Sequence, residues 1–335
     1  MATGTDLTPP ARQPITGPLP HGLSGAERGE PGIVFPPLRV GEAGWGGEVT
    51  RRAPNRTLTS LIWARLRGDP LALAAVGLLL LLALVVVAAP LTAPRDPLRQ
   101  EPSIRLSPPL TTGYPLGADG LGRDVLSRLI WGGQISLVVG VVPVLLAGLV
   151  GVAIGTLGGF YGGRLDNVLM RCLDVIFAFP AILLALAIVA TLGPSIFNAM
   201  LAITVVGIPS FARLIRASVL TLKEQAFVEA ARAIGAGSGR IVWRHILPNS
   251  MSTVVVYGTL EVGKTVVFAA GLSFLGLGVQ PPTPEWGAML ADGRQVLAVA
   301  PHVATVPGLV IFVVTVGLNI VGDTLRDALD PRLRH

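Results

Sequence analysis

One stretch of the sequence matches a motif that binds a common cofactor. Gly258, Gly263, Lys264 and Thr265 fit the pattern G-x-x-x-x-G-K-[ST] of a phosphate-binding loop, whose backbone N–H groups hold nucleotide phosphates. That loop works only between a strand and a helix of an α/β domain. Here the match lies inside a long apolar run with no α/β pattern around it. We therefore predict that this chain binds neither ATP nor any other cofactor.

Glu261 and Lys264, within the same stretch, have a second interpretation. Residues three apart share one face of a helix, so the two side chains can form an ion pair. Pairing lowers the cost of placing two charges at membrane depth. The pair either lines a polar path through the membrane or stabilises a contact between helices, and the sequence leaves both alternatives open.

The remaining reactive residues do not form a catalytic or metal-binding pattern. His21, His245 and His302 have no Cys, Asp or Glu neighbours at the spacing of metal ligands, and the fourth histidine, His335, is the last residue. Cys172 is the single cysteine. No Ser/His/Asp set or carboxylate pair falls within one apolar run. We predict a chain that is not an enzyme, with no catalytic residue and no metal site.

The composition indicates a membrane protein. Only 14% of the 335 residues are charged and 51% are hydrophobic, with a mean hydropathy of +0.66. Soluble domains carry about 25% charged residues. The net charge of +6 comes mostly from arginines beside apolar runs, so membrane topology explains it better than nucleic-acid binding does.

Six apolar runs define the predicted architecture, an all-α polytopic membrane protein. A helix rises about 1.5 Å per residue, so about 20 residues cross a bilayer about 30 Å thick. The six predicted spans are 70–91, 135–157, 174–192, 196–211, 253–275 and 303–321.

Positive charge predicts the orientation of these spans. With the N-terminus inside, the cytoplasmic segments carry 19 Lys and Arg and the outer segments carry 6, with Lys264 inside a span. Basic residues concentrate on the cytoplasmic side of membrane proteins. Both termini and the loop 213–248 are therefore predicted to be cytoplasmic, although five arginines in the first outer segment weakly favour the reverse.

The segment 223–249 is a long polar interruption among the spans. Phe227, Ala230, Ala231 and Ile234 recur at helical spacing, which predicts a short helix with one apolar face. Gly235 is predicted to end that helix, and a second short helix then runs into Pro248. Such a unit is suited to docking another protein.

Two other features complete the organisation of the chain. Small residues at four-residue spacing let two helices approach closely in lipid, although simple tolerance of glycine is an alternative. They are Ala147, Gly151, Gly155 and Gly159. The Pro- and Gly-rich segment 1–56 is predicted to be a disordered tail. The region 57–130 holds the first span and an external loop, and 131–335 holds the five other spans.

Four stretches resemble the inner-membrane permease subunits of ABC importers. The loop of that family carries Glu-Ala-Ala, a glycine soon after it, and then Ile-x-Leu-Pro or a close variant. The corresponding residues here are Glu229, Ala230, Ala231, Gly235, Ile246, Leu247 and Pro248. The stretches 114–137, 270–290 and 318–334 resemble the dipeptide/oligopeptide and nickel branch, and specifically its C-type permease.

This resemblance implies the type I ABC importer transmembrane fold in a prokaryotic cytoplasmic membrane. It implies a heterodimer with a second homologous permease, two ATPase subunits that bind ATP and Mg²⁺, and an extracytoplasmic peptide-binding protein. The loop 223–249 would contact an ATPase through Phe227, Glu229, Ala230, Ala231, Ile234, Gly235, Ile246, Leu247 and Pro248. Membrane lipid is an expected partner, and nucleic acid is not.

The resemblance leaves alternatives for the substrate. The same scaffold imports di- and oligopeptides, nickel chelates or glutathione-like peptides, and a channel or secondary transporter that works without ATP is a different class of function. The branch often has Glu where this chain has Ala269, and His245 replaces the usual first Ile. The acidic residue of this span is Glu261, so a substrate contact inferred from the usual Glu does not transfer directly.

Overall fold

A computed structural model describes residue 63 and residues 65–329, and nearly all regular structure in them is helical. The eleven helices named here are α1 (Pro70–Val87), α2 (Ala89–Thr92), α3 (Val125–Tyr161), α4 (Gly163–Phe177), α5 (Ala181–Leu192), α6 (Ile196–Leu222), α7 (Ala226–Ala233), α8 (Ser238–Ile241), α9 (Leu247–Phe274), α10 (Trp286–Arg294) and α11 (His302–Leu329). Within the described residues the β-structure is limited to two isolated bridges. The predicted tail 1–56 lies outside them.

Five helical stretches are long and apolar enough to cross a membrane, and a bent pair of helices adds a sixth when the pair is counted as one span. The five are α1, α3, α6, α11 and the stretch that joins α8 to α9. The sixth combines α4 and α5, whose axes meet at 85°. The predicted all-α fold with six spans is therefore confirmed, with one span broken.

The prediction of a continuous third span over 174–192 is wrong. The helix ends at Phe177 and restarts at Ala181. Pro180 lacks an N–H group and its ring disfavours helical geometry for the residue before it, so the chain turns there. The 12 residues of α5 reach only about 18 Å. The segment 163–173, which the predicted spans leave outside the membrane, is helical.

Helices α3, α6 and α11 are longer than the predicted spans 135–157, 196–211 and 303–321, because each continues through charged residues instead of ending at them. Helix α3 begins ten residues early, where the Asp124 carboxylate accepts a hydrogen bond from the Ser127 N–H at 2.8 Å and caps the helix. Helix α6 continues past residue 211 to Leu222 and carries Arg213 and Arg216. Both arginines form ion pairs with α4, so the helix continues through these charged residues instead of ending before them.

The core is organised around α3, which packs against α6 on one side and α9 on the other. Helix α11 packs on α9 and α10, and α1 rests on α11. The contact between α3 and α6 uses the predicted stripe of small residues, since Ala147, Gly151, Gly155 and Gly159 all face α6. A Cβ atom on Gly155 would fall onto the carbonyl oxygen of Ala212, so the backbones lie in direct contact.

Hydrogen bonds join α10 to α3 at one end of the bundle, which we call the Trp286 end. The buried Glu285 carboxylate caps α10 and accepts a hydrogen bond from the Ser136 hydroxyl at 3.1 Å. The Trp286 indole N–H donates to the carbonyl of Leu129 at 2.9 Å. These bonds join residues about 150 positions apart in the chain, which sequence periodicity does not reveal.

The same end holds a buried group of charges. Arg123 donates to the Asp119 carboxylate at 2.6 Å, and Arg128 lies 3.5 Å from the same carboxylate. Buried charges need such partners, because an unpaired charge away from water is costly. Nearby, burial raises the pKa of Tyr114, and its hydrogen bond to Glu101 acts in the same direction.

Candidate functional site

The helix α7 is anchored by two residues on its inner side. Val228 and Ala231 are buried against neighbouring helices of the same chain. Their cluster also contains Ile215, Val219, Ile241 and Ile246. Because these partners belong to α6, α8 and the turn before α9, the position of α7 is fixed to the ends of two spans.

The outer side of α7 is apolar and open. Phe227 and Ala230 are exposed, and Ile234 is 85% exposed, so three apolar residues lie together on an uncovered face of the helix. They border a shallow groove of about 530 Å³ whose other walls include Arg240, Arg244 and His245. We call this groove, with Phe227, Ala230 and Ile234, the α7 groove.

The sequence placed Phe227, Ala230, Ala231 and Ile234 on one face, and the structure divides them. Ala231 is only 6% exposed and packs inward at the edge of the groove, while the other three face outward. Val228, which sequence reasoning missed, is the main inward anchor. Val228 lies three residues before Ala231, so helical spacing could have identified both as members of one buried face.

Gly235 ends α7 in the conformation that glycine favours. Its φ is +81°, and the Ala236 N–H donates to the Ala231 carbonyl at 3.0 Å while the Gly235 N–H donates to the Arg232 carbonyl at 2.9 Å. This pair of bonds is a Schellman motif. Glu229 is exposed in the first turn, where a carboxylate interacts favourably with the helix N-terminus.

A prediction follows for Gly235. Replacing it by alanine places a side chain at positive φ, which costs about 1–2 kcal/mol. The amide protons of α7 should then exchange with deuterium about tenfold faster in the purified protein. The control is Gly237→Ala, because Gly237 has an ordinary φ of −68°. Equal exchange in the two variants would contradict the assignment of the Schellman turn.

The prediction of a second helix that stops at Pro248 is wrong. The chain stays helical from Ser238 to Phe274 and passes the proline through a π-type turn at Val242–Ile246. Within this turn the Leu247 N–H donates to the Val242 carbonyl, five residues back. The wider turn accommodates the proline, which lacks an N–H group. Ile246 is buried, Leu247 is half-buried and Pro248 is exposed, so the three residues have different environments.

Ion pairs hold the base of α7 to the rest of the bundle. Arg216 of α6 donates two hydrogen bonds of 2.6 Å to the Asp166 carboxylate of α4. The Lys223 ammonium, just before α7, donates to the Gly159 carbonyl at the end of α3 at 3.1 Å. Bidentate arginine–carboxylate pairs are geometrically specific as well as strong. The α7 groove therefore rests on a rigid base.

The second candidate site is a cleft in the middle of the spans, lined in part by α3, α6 and α9. It has a volume of about 380 Å³ and contains both Glu261 and Lys264. The Lys264 ammonium lies 3.2 Å from the Glu261 carboxylate, as the sequence spacing allowed. Gly258 and Thr265 lie on the same continuous helix, so its N–H groups are not free to hold phosphates as in a phosphate-binding loop. Among the described residues, no cluster of His, Cys, Asp or Glu could hold a metal ion.

Comparison with known proteins identifies the family. A family model described as "Binding-protein-dependent transport system inner membrane component" matches residues 151–335. The chain belongs to this family. A second model, "N-terminal TM domain of oligopeptide transport permease C", matches residues 57–109. The resemblance to the C-type permeases of peptide importers is thus confirmed.

Curated relatives of this permease are similar over most of their length. It is 43% identical over 286 residues to the glutathione transport system permease protein GsiD of Pectobacterium atrosepticum, covering 85% of this chain and 95% of the relative. It is 46% identical over 279 residues to GsiD of Escherichia coli O157:H7, covering 83% of this chain and 92% of the relative. The chain is therefore a permease subunit of an ABC importer.

A solved structure has the same fold. The permease is similar to a chain of the inward-facing MetNI methionine ABC transporter, with a TM-score of 0.51 and 20% identity. The match covers 61% of this chain and 97% of that chain. The predicted type I importer fold is confirmed, and the likeness at this identity concerns the fold alone.

Proposed function

We propose that this permease forms half of a translocation pore for short peptides and is coupled to ABC ATPase subunits through the 223–249 loop. A second homologous permease supplies the other half. ATP and Mg²⁺ are bound by two partner ATPases, and an extracytoplasmic binding protein delivers the substrate. Both termini and the 213–248 loop face the cytoplasm of a prokaryotic cell.

The α7 groove is the observation that carries this proposal. An apolar groove beside an exposed isoleucine fits the docking of another protein's surface. Its basic rim of Arg240, Arg244 and His245 favours an acidic partner surface. Because the inner side of α7 packs on α6 and on the turn before α9, movement of a docked protein would be transmitted to these spans.

The charge distribution supports the cytoplasmic placement of this groove. The first outer segment contains five arginines, which weakly opposed the orientation. Two of them, Arg123 and Arg128, are buried and share the Asp119 carboxylate. Their role in packing explains why they occur on the outer side despite the usual bias.

The substrate class is proposed from the relatives. Those reported above are named glutathione transport permeases, and the second family model describes oligopeptide transport. Short peptides are therefore the first proposed substrate class, and this class includes glutathione-like tripeptides. Nickel chelates are the alternative substrate on the same scaffold.

Reconstitution tests the proposal directly. The permease is purified with its co-purifying permease and ATPase subunits, placed in proteoliposomes, and supplied with its binding protein and radiolabelled glutathione or trialanine. We expect uptake only when ATP and the ATPases are both present. Uptake driven by an ion gradient without ATPases would contradict the proposal and support a secondary transporter. ATP-dependent uptake of a nickel chelate but of neither peptide would contradict the peptide assignment.

A further inference from the structure

The Glu261–Lys264 pair lies within a membrane-spanning helix, where few environments stabilise a charged side chain. Both residues lie near the middle of α9, a helix of 28 residues within a membrane span. The Lys264 side chain is 64% exposed and that of Glu261 is 23% exposed. A charged side chain at this depth is expensive in lipid, so it faces a water-filled path or a polar partner. The cleft that contains the pair is the surface that meets this requirement.

The rest of the cleft has no comparable charge. Ser210 and Thr265 add hydroxyl groups, and the other lining side chains are apolar. Among its lining residues the cleft thus offers one cation and one anion, surrounded by walls that do not select among side chains by charge.

The one cation and one anion of the cleft match the two terminal charges that all unmodified peptides share. Each peptide has one ammonium group and one carboxylate at its ends, whatever its side chains. We propose that Lys264 binds the terminal carboxylate and Glu261 the terminal ammonium of the peptide as it passes through the cleft. The two residues are a specificity-determining charge pair for zwitterionic substrates. This inference rests on the proposed function as a peptide permease.

The pairing of the two side chains allows such an exchange. At 3.2 Å the lysine and glutamate neutralise each other when no substrate is present. A zwitterion can replace that contact with two new ion pairs and leave no charge unpaired. A peptide that lacks one end charge leaves its counterpart in the cleft without an opposite charge, and a charge left uncompensated in a site of low dielectric is penalised.

The test measures uptake by the full reconstituted complex for three peptides: trialanine, its N-acetyl derivative and its C-terminal amide. Each uptake rate is divided by the wild-type rate for the same peptide, so that selection by the unchanged binding protein cancels. Lys264→Gln should lower the ratio about tenfold for the two peptides with a free carboxylate and leave the amide nearly unchanged. Glu261→Gln should spare the N-acetyl peptide and lower the other two.

Controls separate recognition from stability. Lys264→Arg keeps the charge and should retain most uptake of all three peptides. Thr259→Val alters the same helix outside the cleft and should change none of the ratios. If Lys264→Gln fails to assemble, Glu261→Gln tests the site through the other charge. Ratios that fall equally for all three peptides, or do not fall, would overturn the assignment. A wild-type complex that transports none of the peptides would instead refute the proposed function on which it rests.

Discussion

Replacing Ala230 by glutamate should abolish peptide uptake by the assembled transporter while leaving the permease folded in the membrane. Ala230 is exposed in the α7 groove, so a larger charged side chain would occupy the space in which we propose that an ATPase docks. Residues at the centre of an interface commonly cost about 2 kcal/mol or more when altered. ATP-dependent uptake in proteoliposomes should fall at least about thirtyfold, and less ATPase should co-purify.

A matched control lies three residues away. Ala233 is exposed on the same helix but does not line the groove, so Ala233→Glu introduces the same side chain without blocking it. It should retain uptake and ATPase association. The prediction would be wrong if both variants transported equally well. Ala231→Arg is a less specific test, because Ala231 is buried and the change would disturb the packing of α7 itself.

Gly155→Val should destabilise the whole permease more than any change in a loop. The added side chain would collide with the backbone of Ala212 and with the Arg216 N–H, and backbone atoms of a packed helix cannot move aside as a flexible side chain does. Overpacking of this kind costs about 1–3 kcal/mol and sometimes more. The melting temperature of the detergent-solubilised protein, measured by loss of the monodisperse species, should fall by several degrees.

Gly77→Val provides the control for that experiment. Gly77 lies within α1, and a Cβ atom there would have no neighbour within 4 Å. The substitution has the same chemistry and falls in a spanning helix, but no helix contact is lost. An equal fall in melting temperature for both variants would show that valine in a span, rather than the α3–α6 contact, is responsible.

The sequence was sufficient for the features that depend on local pattern. Hydropathy identified the six spans, and the helical spacing of apolar residues located α7 with its terminating Gly235. Small residues repeat every four positions on α3, and such a repeat identifies the face of the helix that packs closely against another helix. In the structure that stripe faces α6.

The features that escaped prediction depend on pairs far apart in the chain. The fourth span was predicted to end at residue 211, before Arg213 and Arg216, because their partners Asp174 and Asp166 lie 39 and 50 residues away in the chain. The inward turn of Ala231 depends on Ile215 and Ile246, which no local period identifies. The break before Pro180 had a signal in the proline itself, but hydropathy continues across it and hid the bend.

The break between α4 and α5 has a mechanical consequence. Helix α4 is clamped to α6 by two ion pairs, Asp166 with Arg216 and Asp174 with Arg213. Helix α5 meets α6 mainly through apolar side chains, and the one hydrogen bond recorded between them runs from the Asn198 amide to the carbonyl of Leu192, at the far end of α5 from the break. A force that tilts α6 would therefore act on α4 through two ion pairs and on α5 through apolar contacts and one bond at its far end, so that residues 178–180 would serve as the hinge between α4 and α5. Phe177 and Ala181, on either side of that hinge, both line the cleft that holds Lys264, so its width would follow the hinge angle.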